Sequence, residues 1–232
     1  MTENEAELAR FLAPGTFIDS DDPEIVAFAA RVAAAAEGDR EKAVRLYYAV
    51  RDDIRYDPYL MGEEARYFRA SDCLKDGRGF CVPKAALLAA AGRAAGIPAR
   101  VGYADVRNHL ATRKLLDLLG TDLFIWHGYA ELWLDGRWVK ATPAFNLELC
   151  ERFGVKPLEF DGTADSLFHE YDEAGRRHMV YVADRGPFED VPTDAIIAGF
   201  KALYPRLFET LRAGCGGDFA AEAAAETVPN FR

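Results

Sequence analysis

Two side chains of this 232-residue chain have the type and setting of a nucleophile and its base. Cys81 stands in "GRGFCVPKAALLAAAGRAAG", behind two glycines and directly ahead of an alanine-rich run with Pro83 in its first turn. A thiol attacks as its thiolate, a minor species near neutral pH. A helix N-terminus favours that anion through unpaired N–H groups and the positive end of the helix dipole. Gly77 and Gly79 permit a sharp turn and close approach of a substrate, and Pro83 fixes φ without removing a needed donor. The same N–H groups can stabilise the oxyanion of an attacked carbonyl. The competing reading of Cys81 is a small buried apolar residue.

A cysteine nucleophile needs a base within hydrogen-bond reach. Of His109, His127, His169 and His178, His127 falls inside a strand-like run, "FIWHGYAELWL", and the others lie in or beside polar, loop-like sequence. Those three read as surface or structural residues. Alternation places His127 on one face with Ile125, Tyr129, Glu131 and Trp133. The following Asp135-Gly136 pair predicts a two-residue hairpin turn. That turn sets Trp133 opposite Trp138, Glu131 opposite Lys140, Tyr129 opposite Thr142 and His127 opposite Ala144. It pairs two aromatics and two opposite charges, and puts Thr142 diagonal to His127. Cys81 and His127 are then expected at the mouth of one pocket.

Other elements must carry these two residues. Asp21 or Asp22 caps a helix with Pro23 at its first position, running toward Gly38. Asp39 opens a second helix through "REKAVRLYYAVRDDIRYD", stopped by Pro58. "LMGEEARYFRASDCLKDGRG" reads as loop with one short helical turn. The helix begun at Cys81 closes at Gly96, and "IPARVGYADV" follows as a strand. "RNHLATRKLLDLLGTD" is a partly helical excursion. Beyond the hairpin, "KPLEFDG" and "HMVYVADRG" read as short strands. A last helix over "TDAIIAGFKALYPRLFETLRAG" is kinked or split by Pro205, and the alanine-rich tail reads as frayed. The expectation is one domain over residues 1–232, with a core at about 40–146 and an elaboration at 147–232.

The totals exclude several function classes. Lys and Arg number 28 against 38 Asp and Glu, a net charge of −10 that disfavours nucleic acid and anionic membrane as partners. The acidic start "MTENEAELARFLAPG" lacks the form of a secretory signal. With no C-x-x-C pair, Cys73, Cys81, Cys150 and Cys215 read as reduced thiols of a cytoplasmic protein. No Cys/His pair has metal-ligand spacing and no calcium loop is present, so no cofactor is indicated.

A glycine-preceded cysteine starting a helix, then "RAAGIPARV", then "WHGYAELWLDGRW" in that order resembles the transglutaminase-like superfamily over about Ala43–Phe145. "AVRDDIRYD" adds to the likeness, and the last third resembles an uncharacterised bacterial branch. The resemblance implies an α+β fold with a papain-like core: a cysteine helix packed on an antiparallel sheet, with extra helices at both ends. It makes Cys81 the nucleophile and His127 the general base and acid. The family's third residue, an aspartate before a proline, is replaced by Thr142 in "KATPAF". A hydroxyl can orient the imidazole but cannot offset its positive charge as a carboxylate does. Asn146 is the alternative orienting residue, with Asp161, Asp165 and Asp172 behind it. Gly79, Phe80, Trp126 and Tyr129 are the expected substrate pocket, though residues such as Trp126 and Trp133 are more often simply sheet core.

Two readings follow. One is cysteine-dependent acyl transfer on a peptide, protein or other amide or ester substrate through an acyl-enzyme. Water as acceptor makes a protease or amidase, and an amine makes a transamidase; hydrolysis is favoured. The other is a non-catalytic peptide- or protein-binding module on the same fold, for which the missing aspartate speaks.

Overall fold

The computed structural model describes residues 3–108, 111–167, 179–213 and 217–226. It opens with a short helix, α1 (Glu3–Ala9), which the sequence reading did not anticipate. Helix α2 (Pro23–Ala33) starts as expected, the Asp22 carboxylate accepting from the Glu24 N–H, and turns Ile25, Phe28 and Ala29 inward. Helix α3 (Gly38–Asp53) buries Ala43, Leu46, Tyr47 and Val50. A two-residue strand β1 (Arg55–Tyr56) leads to helix α4 (Ala70–Asp76), where the sequence read as loop with one short helical turn; its signal is weak because it is under two turns long and has no side-chain cap. Strand β2 (Arg78–Gly79) pairs in parallel with β1.

Helix α5 (Cys81–Ala94) starts at the cysteine and is buried on every side from Cys81 to Arg93. Its small side chains explain how: seven of its fourteen residues are alanine or glycine, so α2, α3, α4 and the sheet all approach it closely. The sheet has the order β5-β4-β3-β6 and is antiparallel throughout. Its strands are β3 (Ala99–Asn108), β4 (Leu123–Leu134), β5 (Arg137–Ala141) and β6 (Met179–Phe188), with helix α6 (Arg113–Leu119) between β3 and β4. Helix α7 (Leu147–Phe153), also unanticipated, follows β5. "KPLEFDG" forms no strand; its Leu158 carbonyl instead accepts from Tyr47 and Arg51 of α3.

The hairpin has the expected register, Trp133 opposite Trp138 and Glu131 opposite Lys140. Asp135 and Gly136 both take positive φ (50° and 83°), as a type I′ turn requires. The pairing stops at Ala130 opposite Ala141, so the expected Tyr129–Thr142 and His127–Ala144 pairs do not form. The chain leaves β4 there because Thr142 N–H bonds to the Ser166 carbonyl of the next segment.

Pro205 divides the last long helix into α8 (Thr193–Leu203) and α9 (Leu207–Arg212). The tail holds a further helix, α10 (Phe219–Ala225), capped by Asp218 and pinned by Phe219 against Tyr56, Tyr59 and Phe153; fraying was the wrong expectation for it. No described helix is long and apolar enough to cross a membrane.

Candidate active site

Phe80 precedes α5 in extended conformation, and no side chain caps the helix. The first-turn amides are thus left for whatever lies in front of them. Strand β4 lies directly against this end. A Cβ added at Gly128 would meet the Cys81 carbonyl oxygen at 3.0 Å and the Val82 Cα at 3.1 Å. Only glycine lets the strand come so near, and this puts His127, its neighbour, at the cysteine end of α5.

Just before His127 the strand carries a bulge. Ala104 pairs with His127 and Val106 with Phe124, so Ile125 and Trp126 together face Asp105. Trp126 takes φ 57°, a left-handed conformation that a bulky residue adopts only when held. The Asp105 carboxylate holds it by accepting from the Trp126 N–H at 3.0 Å. Arg185 of β6 clamps that carboxylate with two bonds, of 2.6 and 2.7 Å, and stacks over the Trp126 ring at 4.2 Å.

Cys81 and His127 line one cavity, with Phe80, Tyr56, Asn108 and Leu115 among its walls and Phe200, Tyr204 and Leu207 closing it from α8 and α9. The open space is about 40 Å³, room for a water or two. Burial dominates the electrostatics. It pushes the Cys81 thiol up to about 11, against hydrogen bonding from the backbone of Gly128, Val82 and Cys81 itself, which favours the anion. It pushes the His127 imidazole down to about 4, against the backbone of Gly128 and His127. Burial therefore outweighs the helix end and favours the neutral thiol and the neutral imidazole.

The other residues singled out in the sequence are dispersed. Thr142 is buried, with its backbone bonded to Ser166 and Tyr47. Asn146 accepts from the Tyr56 N–H through its side-chain oxygen, bracing a cavity wall. Asp161 accepts from Thr163 in a turn and Asp165 from the Lys140 N–H. Asp172, His109, His169, His178 and Cys215 lie outside the described residues.

Of the expected pocket residues, Phe80 lines the cavity. Gly79 instead abuts the Cys73 sulfur and Pro83. Trp126 packs on Tyr103 and Phe188 as sheet core. Tyr129 borders a separate hollow with Ala104, Lys140 and Asp184. Tyr129 and His127, expected on one face, thus border different hollows.

Sequence reasoning missed Asn108 and Tyr204, which reach the cavity through long-range packing that no local pattern encodes. It also missed Lys84, fully buried one turn beyond Cys81, whose Nζ donates to the Arg51 carbonyl at 3.0 Å and to that of Ile54. A lysine inside an alanine-rich run was the available signal. Among the described residues no cluster of His, Cys, Asp and Glu is placed to hold a metal ion.

Comparison with known proteins agrees with this architecture. A candidate cysteine protease from Cytophaga hutchinsonii superposes with a TM-score of 0.51 at 18% identity, over 82% of this chain and 50% of that one. This chain thus corresponds to half the length of that protein. A candidate protease from Parabacteroides distasonis gives a TM-score of 0.38 at 18% identity, over 55% of this chain and 26% of that one. No curated protein matches. The sequence profile of the transglutaminase-like superfamily matches residues 26–143, just over half of the chain and the span holding both Cys81 and His127. The chain belongs to the transglutaminase-like superfamily, with a cysteine-protease-like fold.

Proposed function

We propose that this protein is a cysteine hydrolase that cleaves an amide or ester bond in a peptide or protein substrate, with Cys81 as nucleophile and His127 as base and acid. One observation carries the reading: the helix-start thiol and the imidazole line the same buried cavity. His127 takes the thiol proton as the sulfur attacks the substrate carbonyl, forming a tetrahedral oxyanion. Backbone amides at the start of α5 and at Gly128, which already favour negative charge on the sulfur, supply the charge stabilisation. The imidazolium then protonates the departing amine or alcohol. Water adds to the thioester with His127 as base, and the acid leaves with regeneration of the thiol. With no aspartate at the Thr142 position, the neutral resting pair favours a slow enzyme. Neither Thr142 nor Asn146, the expected orienting residues, lines the cavity.

That same neutral pair specifically favours a second reading, a peptide-binding module without turnover. A library of fluorogenic peptides and acyl esters decides between them. Hydrolysis that falls by about a thousandfold or more in Cys81→Ala and His127→Ala supports the enzyme. Turnover that survives Cys81→Ala removes it, and binding with no turnover selects the module. An added primary amine, recovered as an amide product, identifies an amine-accepting transamidase.

A further inference from the structure

The β4 edge beside the cavity is closed by a side chain from the far end of the chain. Just before β4, Asp122 accepts through its carbonyl from Asn108 of β3, so the alternate residues, Leu123 and Ile125, turn their backbone groups to the other edge. β5 covers that edge only from Leu134 to Ala130. Beyond it, the Tyr204 hydroxyl donates to the Leu123 carbonyl at 2.8 Å and accepts from the Ile125 N–H at 2.9 Å. These are the acceptor and donor that an incoming extended strand would satisfy. The Tyr204 ring, with Phe200 and Leu207, also walls off Cys81 and His127. Outside the cavity, Lys201 of α8 and Arg212 of α9 both pair with Glu63.

We propose that the β4 edge at Leu123–Ile125 is a docking site for an extended peptide, occupied in this state by Tyr204 as part of a displaceable cover formed by α8 and α9. The proposal deepens the hydrolytic reading and rests on it only for the fate of the bound peptide. A cavity of about 40 Å³ is too small for a large side chain, so a peptide bearing one enters only as the cover leaves. Phe80, Leu115, Leu119 and Phe124 then offer apolar walls to the side chain that takes the place of Tyr204. The backbone of the peptide replaces both bonds of the hydroxyl.

Two variants test the cover without requiring catalysis. Tyr204→Phe keeps the ring and removes both bonds; Glu63→Gln loosens the outer anchor and leaves the cavity untouched. Each is labelled with iodoacetamide, and modification is followed by mass spectrometry on the tryptic peptide Gly79–Lys84, which contains Cys81 alone of the four cysteines. Loss of two hydrogen bonds predicts labelling about tenfold faster in Tyr204→Phe, with acceleration in Glu63→Gln as well. Rates equal to the parent in both variants overturn the cover.

Docking is read from protection. Acetyl-Ala-Phe-Ala-Phe-Ala-amide at millimolar concentration should slow the labelling of Tyr204→Phe severalfold. The same peptide N-methylated at alternate amides, in either phase, should protect less in the phase that blocks the edge bonds. No protection, or equal protection by all three peptides, overturns docking on the edge. Faster labelling and edge-dependent protection with no hydrolysis of any library member would leave this inference standing and sink the hydrolytic reading.

Discussion

Replacing Lys84 by methionine should change stability in a strongly pH-dependent way. The Lys84 ammonium is wholly enclosed, and burial holds its pKa down to about 7 against an ordinary 10.5. The unfolded chain therefore binds the proton more tightly than the folded one between those two values. In that window the stability of the parent rises with pH, and below pH 7 the full penalty of a buried charge is present. The shift corresponds to roughly 5 kcal/mol in acid, falling to about 2 kcal/mol by about pH 9. Methionine has similar volume and no charge, but it strips the Arg51 and Ile54 carbonyls of a donor, at about 1 kcal/mol each. The variant should be more stable than the parent by about 2–3 kcal/mol near pH 6.5, with the gap closing by about pH 9. Urea unfolding of both proteins across that range checks it, since titrating groups not coupled to Lys84 cancel in the difference. A parent–variant difference that stays constant with pH would refute the claim that Lys84 sits as a strained cation behind the cysteine.

Gly128→Ala drives a methyl group into the Cys81 carbonyl and Val82 Cα, backbone atoms that cannot swing aside. It should cost about 1–3 kcal/mol in thermal or urea unfolding, and an unchanged midpoint would contradict the close approach of β4 to α5. His127 gives an acid limb of opposite origin to a salt bridge. Its folded pKa is near 4 while the unfolded imidazole titrates near 6.5, so stability is lost as pH falls from about 6.5 to 4, by up to about 3 kcal/mol. His127→Gln should flatten that limb in acid-unfolding curves, and identical parent and variant limbs would show the ring already charged or solvated.

Features fixed by neighbours in sequence were legible before the structure: the Asp22 cap, the helix start at Cys81, the Asp135-Gly136 turn with its register, and the break at Pro205. Each rests on a backbone angle or hydrogen bond contained within a few residues. Helix α4 was read only as one short helical turn in a loop for the complementary reason: its support is tertiary, from α2 and α5, and no cap announces it. The hairpin register, continued by arithmetic, carried Thr142 to the side of Tyr129, but a ladder ends where another segment offers better bonds, and Ser166 lies 24 residues further along the chain. The site shows the same division. Cys81 and His127 could be named from their own surroundings. Whether the sulfur there is an anion depends on what covers it, and the cover comes from Phe200, Tyr204 and Leu207, more than 70 residues beyond His127. A helix N-terminus contributes on the order of 1 kcal/mol toward a thiolate, whereas burial can move a pKa by several units, so the distant residues decide the outcome. The motif points to Cys81 as the proposed nucleophile, and the packing of the C-terminal helices buries its sulfur.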